Sequence, residues 1–184
     1  MGTIKTTNIE TITGSGTLTL GQSGETITIP SGVTITNNGT QTGFGGTNTP
    51  AFAVYNNGFQ STTSNVDTKA TFDTEVYDTA SAFASSRFTV PSGQGGKYYF
   101  YAWMVYVATD ANATTGVLQF YKNGSGTGAY SEVFGGYSSR NNNIVSIKSL
   151  DLSAGDYVEV YGTVNGSGTT GFNVAHFGGY KIIE

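Results

Sequence analysis

An all-β fold is predicted, and three observations predict it. Only 11% of residues are charged, glycine numbers 27, and the leucines are five, Leu18, Leu20, Leu118, Leu150 and Leu152, so little in the chain favours helices. Aromatic residues make up 13%, with 12 Tyr and 11 Phe, enough buried ring area to offset the entropy of ordering a glycine-rich backbone. From Phe88 onward, runs of period-two alternation are punctuated by turn pairs such as Asn123-Gly124 and Asn165-Gly166. At 184 residues the chain has room for one domain with a sizeable core and an appendage.

The elements divide at a composition break near Gly43-Phe44-Gly45-Gly46, which separates residues 1–46 from 47–184. The charged residues before the break are Lys5, Glu10 and Glu25, and Thr-rich alternations recur there: Thr17-Leu18-Thr19-Leu20, Thr26-Ile27-Thr28-Ile29 and Val33-Thr34-Ile35-Thr36. Gly16, Gly24 and Gly32 precede them at a spacing of eight, which predicts short strands joined by tight turns. A stretch so poor in large side chains buries no core alone. Copies wrapped together as an intertwined β-stem would bury its thin apolar stripe, making it a spacer between an anchor and a head; the competing reading is a flexible Thr/Gly linker.

After Pro50 the head opens with Ala51-Phe52-Ala53-Val54-Tyr55. A polar stretch to Val66 follows, then Ala70-Thr71-Phe72 and Val76-Tyr77. Strands are predicted at 87–90, 97–107, 116–122, 129–134, 143–150, 157–164 and 172–183, a number and punctuation that imply a β-sandwich or jelly roll. In the strand from Tyr98 to Val107, Tyr98, Phe100, Ala102, Met104 and Tyr106 share one face while Tyr99, Tyr101, Trp103, Val105 and Val107 share the other. Both faces are apolar, and one sandwich covers only one of them. The second face is left to another chain, a loop or partial exposure of its Tyr rings, so Tyr99, Tyr101, Trp103, Met104, Phe177 and Tyr180 are candidates for either the core or an interface between chains.

Several ordered blocks carry a resemblance. Ala51-Phe52-Ala53, Phe88-Thr89-Val90-Pro91, Tyr98-Tyr99-Phe100, Tyr121-Lys122-Asn123-Gly124, Leu150-Asp151-Leu152 with Gly155-Asp156, and Phe177-Gly178-Gly179-Tyr180 succeed one another as they do in the globular head of the complement component one-q and tumour necrosis factor superfamily, which this region resembles from Ala51 onward. The resemblance implies a trimeric jelly-roll binding module. The chain departs from the animal members in having no cysteine and no collagen-like stalk. Residues 1–46 resemble instead the Thr/Ile-rich stems of bacteriophage fibre proteins.

Chemistry has little to stand on. His176 is the sole histidine and sits beside Phe177 in the last strand, which favours a structural role. Acid pairs such as Asp151 with Asp156, or Asp73 with Glu75, fit solvated strand ends better than the acid and nucleophile of a surface-polysaccharide depolymerase. Gly124-Ser125-Gly126-Thr127-Gly128 looks like a phosphate loop but joins two strands, so a mobile hairpin tip is expected. Asp110 with Asn112 is a thin calcium candidate, and no cofactor is expected. A net charge of -4 with eight scattered Lys and Arg argues against nucleic acid, and no apolar run is long enough to insert into a membrane. The start of the chain shows no signal-peptide core, so the expected product is made in a cytoplasm.

Binding falls to the loops. Gly136 to Asn143 gathers Tyr137, Arg140, Asn141, Asn142 and Asn143, an aromatic, a cation and three amides that suit a glycan or protein surface, or equally a solvated turn-rich loop. The sequence thus points to a non-enzymatic bacteriophage virion fibre. Its N-terminal stem would anchor to a capsid or tail protein, and its homotrimeric head would bind the host surface. The alternatives are a capsid-decorating head fibre without a specific receptor and a secreted cytokine-like or lectin-like ligand.

Overall fold

A computed structural model describes residues 17–36, 38, 48–108, 114–134 and 142–182. Two compact units are present, Met1–Phe44 and Gly45–Glu184. In the first, residues 17–36 are strandless and turn twice, where Glu25 N donates to Gln22 O at 3.0 Å and Val33 N to Pro30 O at 3.2 Å. Gly24 and Gly32 take the left-handed φ of 89° and 84° that these turns require. The predicted turns are present, but the predicted strands are not. Leu18, Leu20, Ile27, Ile29, Val33 and Ile35 are all exposed, because alternation makes a strand only when a neighbouring backbone completes the ladder.

The second unit is all-β, with no helix among the described residues. Its strands are β1 (Ala51–Asn56), β2 (Gln60–Thr62), β3 (Thr68–Lys69), β4 (Thr74–Asp78), β5 (Phe83–Ala84), β6 (Arg87–Thr89), β7 (Gly96–Ala108), β8 (Thr115–Lys122), β9 (Ser125–Phe134), β10 (Asn142–Leu152), β11 (Tyr157–Asn165) and β12 (Thr170–Lys181). One sheet runs β10-β7-β12-β1-β4 with β2 also on β12; the other runs β5-β6-β11-β8-β9 with β3 also on β11. The chain crosses between the sheets after β2, β3, β4, β6, β7, β9, β10 and β11, and every pairing is antiparallel, which makes the sandwich a jelly roll.

The pleat of β7 turns Tyr98, Phe100, Ala102, Met104 and Tyr106 into the core, facing Leu118 and Phe120 of β8 and Val158, Val160 and Val164 of β11. Phe52 anchors the aromatic cluster: its ring stacks on Phe88 at 4.9 Å and on Phe83 at 5.2 Å, and meets the edge of Phe177 at 4.9 Å. Met104 and Phe177 are thereby core residues. One side of the sandwich is shut where Ser131 Oγ on β9 donates to the Val145 carbonyl on β10 at 2.5 Å. On the other side Phe83 N of β5 donates to the Asp78 carboxylate of β4 at 2.7 Å, and a cleft stays open beside that bond.

Two expectations are corrected. Asn142 belongs to β10 rather than to a loop, and Asn143, placed by the sequence both at the end of that loop and at the start of strand 143–150, is strand, because their backbones pair with Tyr106 and Val105. The glycine run after Asn123 is no mobile tip: Asn123 and Gly124 alone turn, at φ 51° and 78°, and Ser125 already pairs with Lys122.

Candidate functional site: an uncharged aromatic sheet face

The outward pleat of the first sheet assembles side chains from five strands. Register places Val145, Trp103, His176, Tyr55 and Thr74 in one row across β10, β7, β12, β1 and β4, and Ile147, Tyr101, Gly178, Ala53 and Tyr77 in the next. A third row holds Ser149, Tyr99, Tyr180 and Ala51. These rows contain no Asp, Glu, Lys or Arg; charge begins at the rim, where Asp151 lies opposite Lys97. Val145 and Ile147 are 58% and 57% exposed, so the face is open in the single chain. An apolar centre with a polar rim is the make-up of a protein interface.

Gly178 shapes this face. A Cβ there would overlap the Tyr101 ring, so its absence lets that ring lie across β12 and bring its hydroxyl to Tyr77. Burial is the main cause that raises the Tyr101 pKa, with Tyr77 adding to it. At the middle of the upper row His176 is held between two rings, Trp103 at 4.8 Å and Tyr55 at 5.5 Å. Burial lowers its pKa from the ordinary imidazole value. Tyr99 and Tyr180 meet at 5.5 Å below. Of the six residues that were ambiguous between core and interface, Tyr99, Tyr101, Trp103 and Tyr180 thus line this outer face.

The outer face of the second sheet differs, because its polar groups satisfy one another. Asp67 accepts from Gln119 Nε2 at 3.0 Å and from the hydroxyls of Tyr121 and Thr163, fastening the crossing segment to β8 and β11. The hydrogen bond to Asp67, followed by burial, pushes the Tyr121 pKa to about 12. Glu159 is buried yet paired with Lys69 at 2.7 Å and Arg87 at 3.8 Å, and Arg87 lies 4.5 Å over the Tyr157 ring. Such closed networks hold structure. Sequence reasoning missed them, since Asp67 and Thr163 are brought together only by the fold.

The open edge between β4 and β5 is a cleft of about 240 Å³ lined by Val54, Phe72, Phe83, Asp73, Glu75, Ser85 and Ser86. Asp73 and Glu75 are exposed on its rim, and Asp73 accepts from the neighbouring Thr74 hydroxyl at 2.9 Å. The other acid pair is also accounted for. Asp156 takes Lys122 at 2.8 Å, Asn123 at 2.8 Å and the Ser153 N–H at 2.9 Å, which hold its pKa well below the usual carboxylate range, while Asp151 is exposed beside them. Among the described residues no three His, Cys, Asp or Glu side chains gather as a metal site.

Tyr137, Arg140, Asn141, Asp110 and Asn112 lie outside the described residues. Their flanking strand ends do not: Ala108, Thr115, Phe134, Asn142, Asn165 and Thr170 register together at one end of the sandwich. The chain enters at the other end, where Lys181 N donates to Pro50 O at 3.0 Å.

With this geometry in view, comparison with solved structures places the fold. The globular domain of zebrafish complement 1qA aligns with a TM-score of 0.53 at 20% identity, over 73% of this chain and 98% of that one. Eiger, a tumour necrosis factor of S. frugiperda, aligns with a TM-score of 0.53 at 15% identity, over 73% of this chain and 94% of that one. The second unit therefore has a complement 1q/tumour necrosis factor-like jelly-roll fold. No protein-family description and no curated protein sequence matches the chain.

Proposed function

We propose that this chain is a non-enzymatic structural protein of a bacteriophage virion, a fibre whose residues 1–46 anchor it to a capsid or tail protein and whose head assembles as a homotrimer that binds the host surface. The observation that carries the reading is the uncharged aromatic face of the first sheet. An open face of that composition is costly in water and is relieved when copies cover it, and closed threefold assembly covers it in every copy. The resembled superfamily buries the corresponding sheet at its threefold axis, which agrees with this use of the face. The six exposed aliphatics of residues 17–36 suit the same arrangement, since three parallel copies give each stripe partners.

Host binding is assigned to the loop that holds Tyr137, Arg140 and Asn141, because its flanking strand ends lie opposite the end where the chain enters the head. Three loops per trimer gain avidity of roughly 100-fold when geometry allows simultaneous contact. Sedimentation of residues 45–184 should give a trimer, with Trp103→Asp giving a folded monomer. A well-folded wild-type monomer at micromolar concentration overturns the assembly. Replacing Tyr137 and Arg140 with Ala should weaken cell binding steeply, and unchanged binding removes the loop from the assignment. The fold also suits a secreted cytokine-like or lectin-like ligand. Imaging the particle with an antibody to the head separates that reading, and that of a decorating fibre without receptor, from a host-binding fibre.

A further inference from the structure

We propose that His176 makes assembly through the aromatic face proton-linked, so that mildly acidic solution releases copies that neutral solution holds together. The inference rests on the assembly reading above and adds a chemical control to it. His176 is the one ionisable group other than phenols in the three rows of the face. It sits at the centre of its row rather than at the rim.

What surrounds the imidazole decides the sign. On β7 it meets Trp103, flanked by Tyr101 and Val105; on β1 it meets Tyr55, flanked by Ala53; along β12 its outward neighbours are Val174 and Gly178. Beyond these lie Val145 on β10 and Thr74 on β4. The titratable groups among them are phenols, which carry no charge near neutrality. No carboxylate shares the rows: Glu75 pairs with the inward Val54 and lines the cleft with Asp73, while Asp151 and Lys97 lie at the rim, beyond the third row. An imidazolium there has no counter-ion. The Trp103 ring offers a cation–π contact, which is weaker than the hydration lost when an unpaired ion is sealed from water.

The single chain already disfavours the charged form through burial, and a copy seated on the face removes the remaining water. Because the assembled pKa lies below that of the separate head, the assembly energy is complete above the imidazole range and is lost as pH falls through it. A trimer takes up three protons on release. Its association constant should therefore fall on the order of 1000-fold per pH unit between the pKa of the separate head and the lower pKa of the assembly, tenfold for each imidazole.

The test is sedimentation of residues 45–184, whose core is self-contained, at pH 8 and pH 5, with far-ultraviolet circular dichroism to report that the fold persists. The expected result is a trimer at pH 8, folded monomers at pH 5, and a His176→Gln variant that remains trimeric at both. A wild-type trimer at both pH values overturns the proton link and leaves the assembly reading intact, whereas a wild-type monomer at pH 8 overturns assembly itself. Should the Gln variant fail to fold, His176→Asn takes its place. Dissociation at pH 5 shared equally by wild type and a folded variant assigns the sensor to another group and overturns the inference.

Discussion

Two core tyrosines show how much a single partner matters. Tyr98 and Tyr106 both lie fully buried on β7, but the Tyr98 hydroxyl donates to the Gln94 carbonyl at 2.6 Å while the Tyr106 hydroxyl has no partner. Tyr98→Phe should cost about 1 kcal/mol, and Tyr106→Phe should be neutral or stabilising by about 1 kcal/mol, read from paired denaturant titrations. A larger loss at Tyr106 would mean that its hydroxyl is bonded after all. Burial raises both pKa values, that of Tyr98 to about 12, so the folded state favours the neutral phenols. Their contribution is intact below pH 10 and is lost as pH rises from 10 to 12; melting temperature against pH should fall in that window. Asp67 works on the opposite surface. Asp67→Ala removes three accepted hydrogen bonds and should cost about 2 kcal/mol, with protease nicking near residues 63–68 as the first sign.

At the scale of elements, β12 is the strand on which core and surface depend together. It lies between β7 and β1, and its Gly178 and Gly179 face opposite sides. A Cβ at Gly179 meets the Phe100 ring and, at 2.9 Å, the Tyr99 backbone carbonyl, whereas a Cβ at Gly178 meets the ring of Tyr101, a side chain able to swing outward. Gly179→Ala should therefore destabilise by about 2 kcal/mol through overpacking. Gly178→Ala should keep most stability while disturbing the aromatic face, so its effect should appear in sedimentation more than in thermal melts. Equal melting losses in the two variants would show that the Tyr101 ring is as fixed as the backbone.

For the whole molecule, the buried core among the described residues lies in the head, from Phe52 to Phe177. Residues 45–184 alone should be soluble and cooperative, with a denaturation midpoint close to that of the full chain. In the fibre reading they should no longer incorporate into particles; normal incorporation would move the anchor elsewhere. The N-terminal unit shows the complementary behaviour. Its glycine turns form within one chain because φ is a local property, but its apolar stripe finds no partner there.

Much of the head was legible in advance because alternation along Tyr98 to Val107 and turn pairs such as Asn123-Gly124 are local signals with fixed physical meaning. Strand existence, the division of that strand into two faces and the jelly-roll class follow from them, while packing against β8 and β11 decides that Tyr98, Phe100, Ala102, Met104 and Tyr106 are the inward set. Other features needed the tertiary structure because they join residues far apart in the chain. Pairing with β7 decides that Asn142 is strand. The crossing segment decides that Asp67 meets Thr163. Register across five strands decides that His176, unremarkable beside Phe177 in the sequence, stands between Trp103 and Tyr55 at the centre of an uncharged face. Period-two alternation assigns each side chain to a face, but only strand order and register decide which side chains share that face across the sheet.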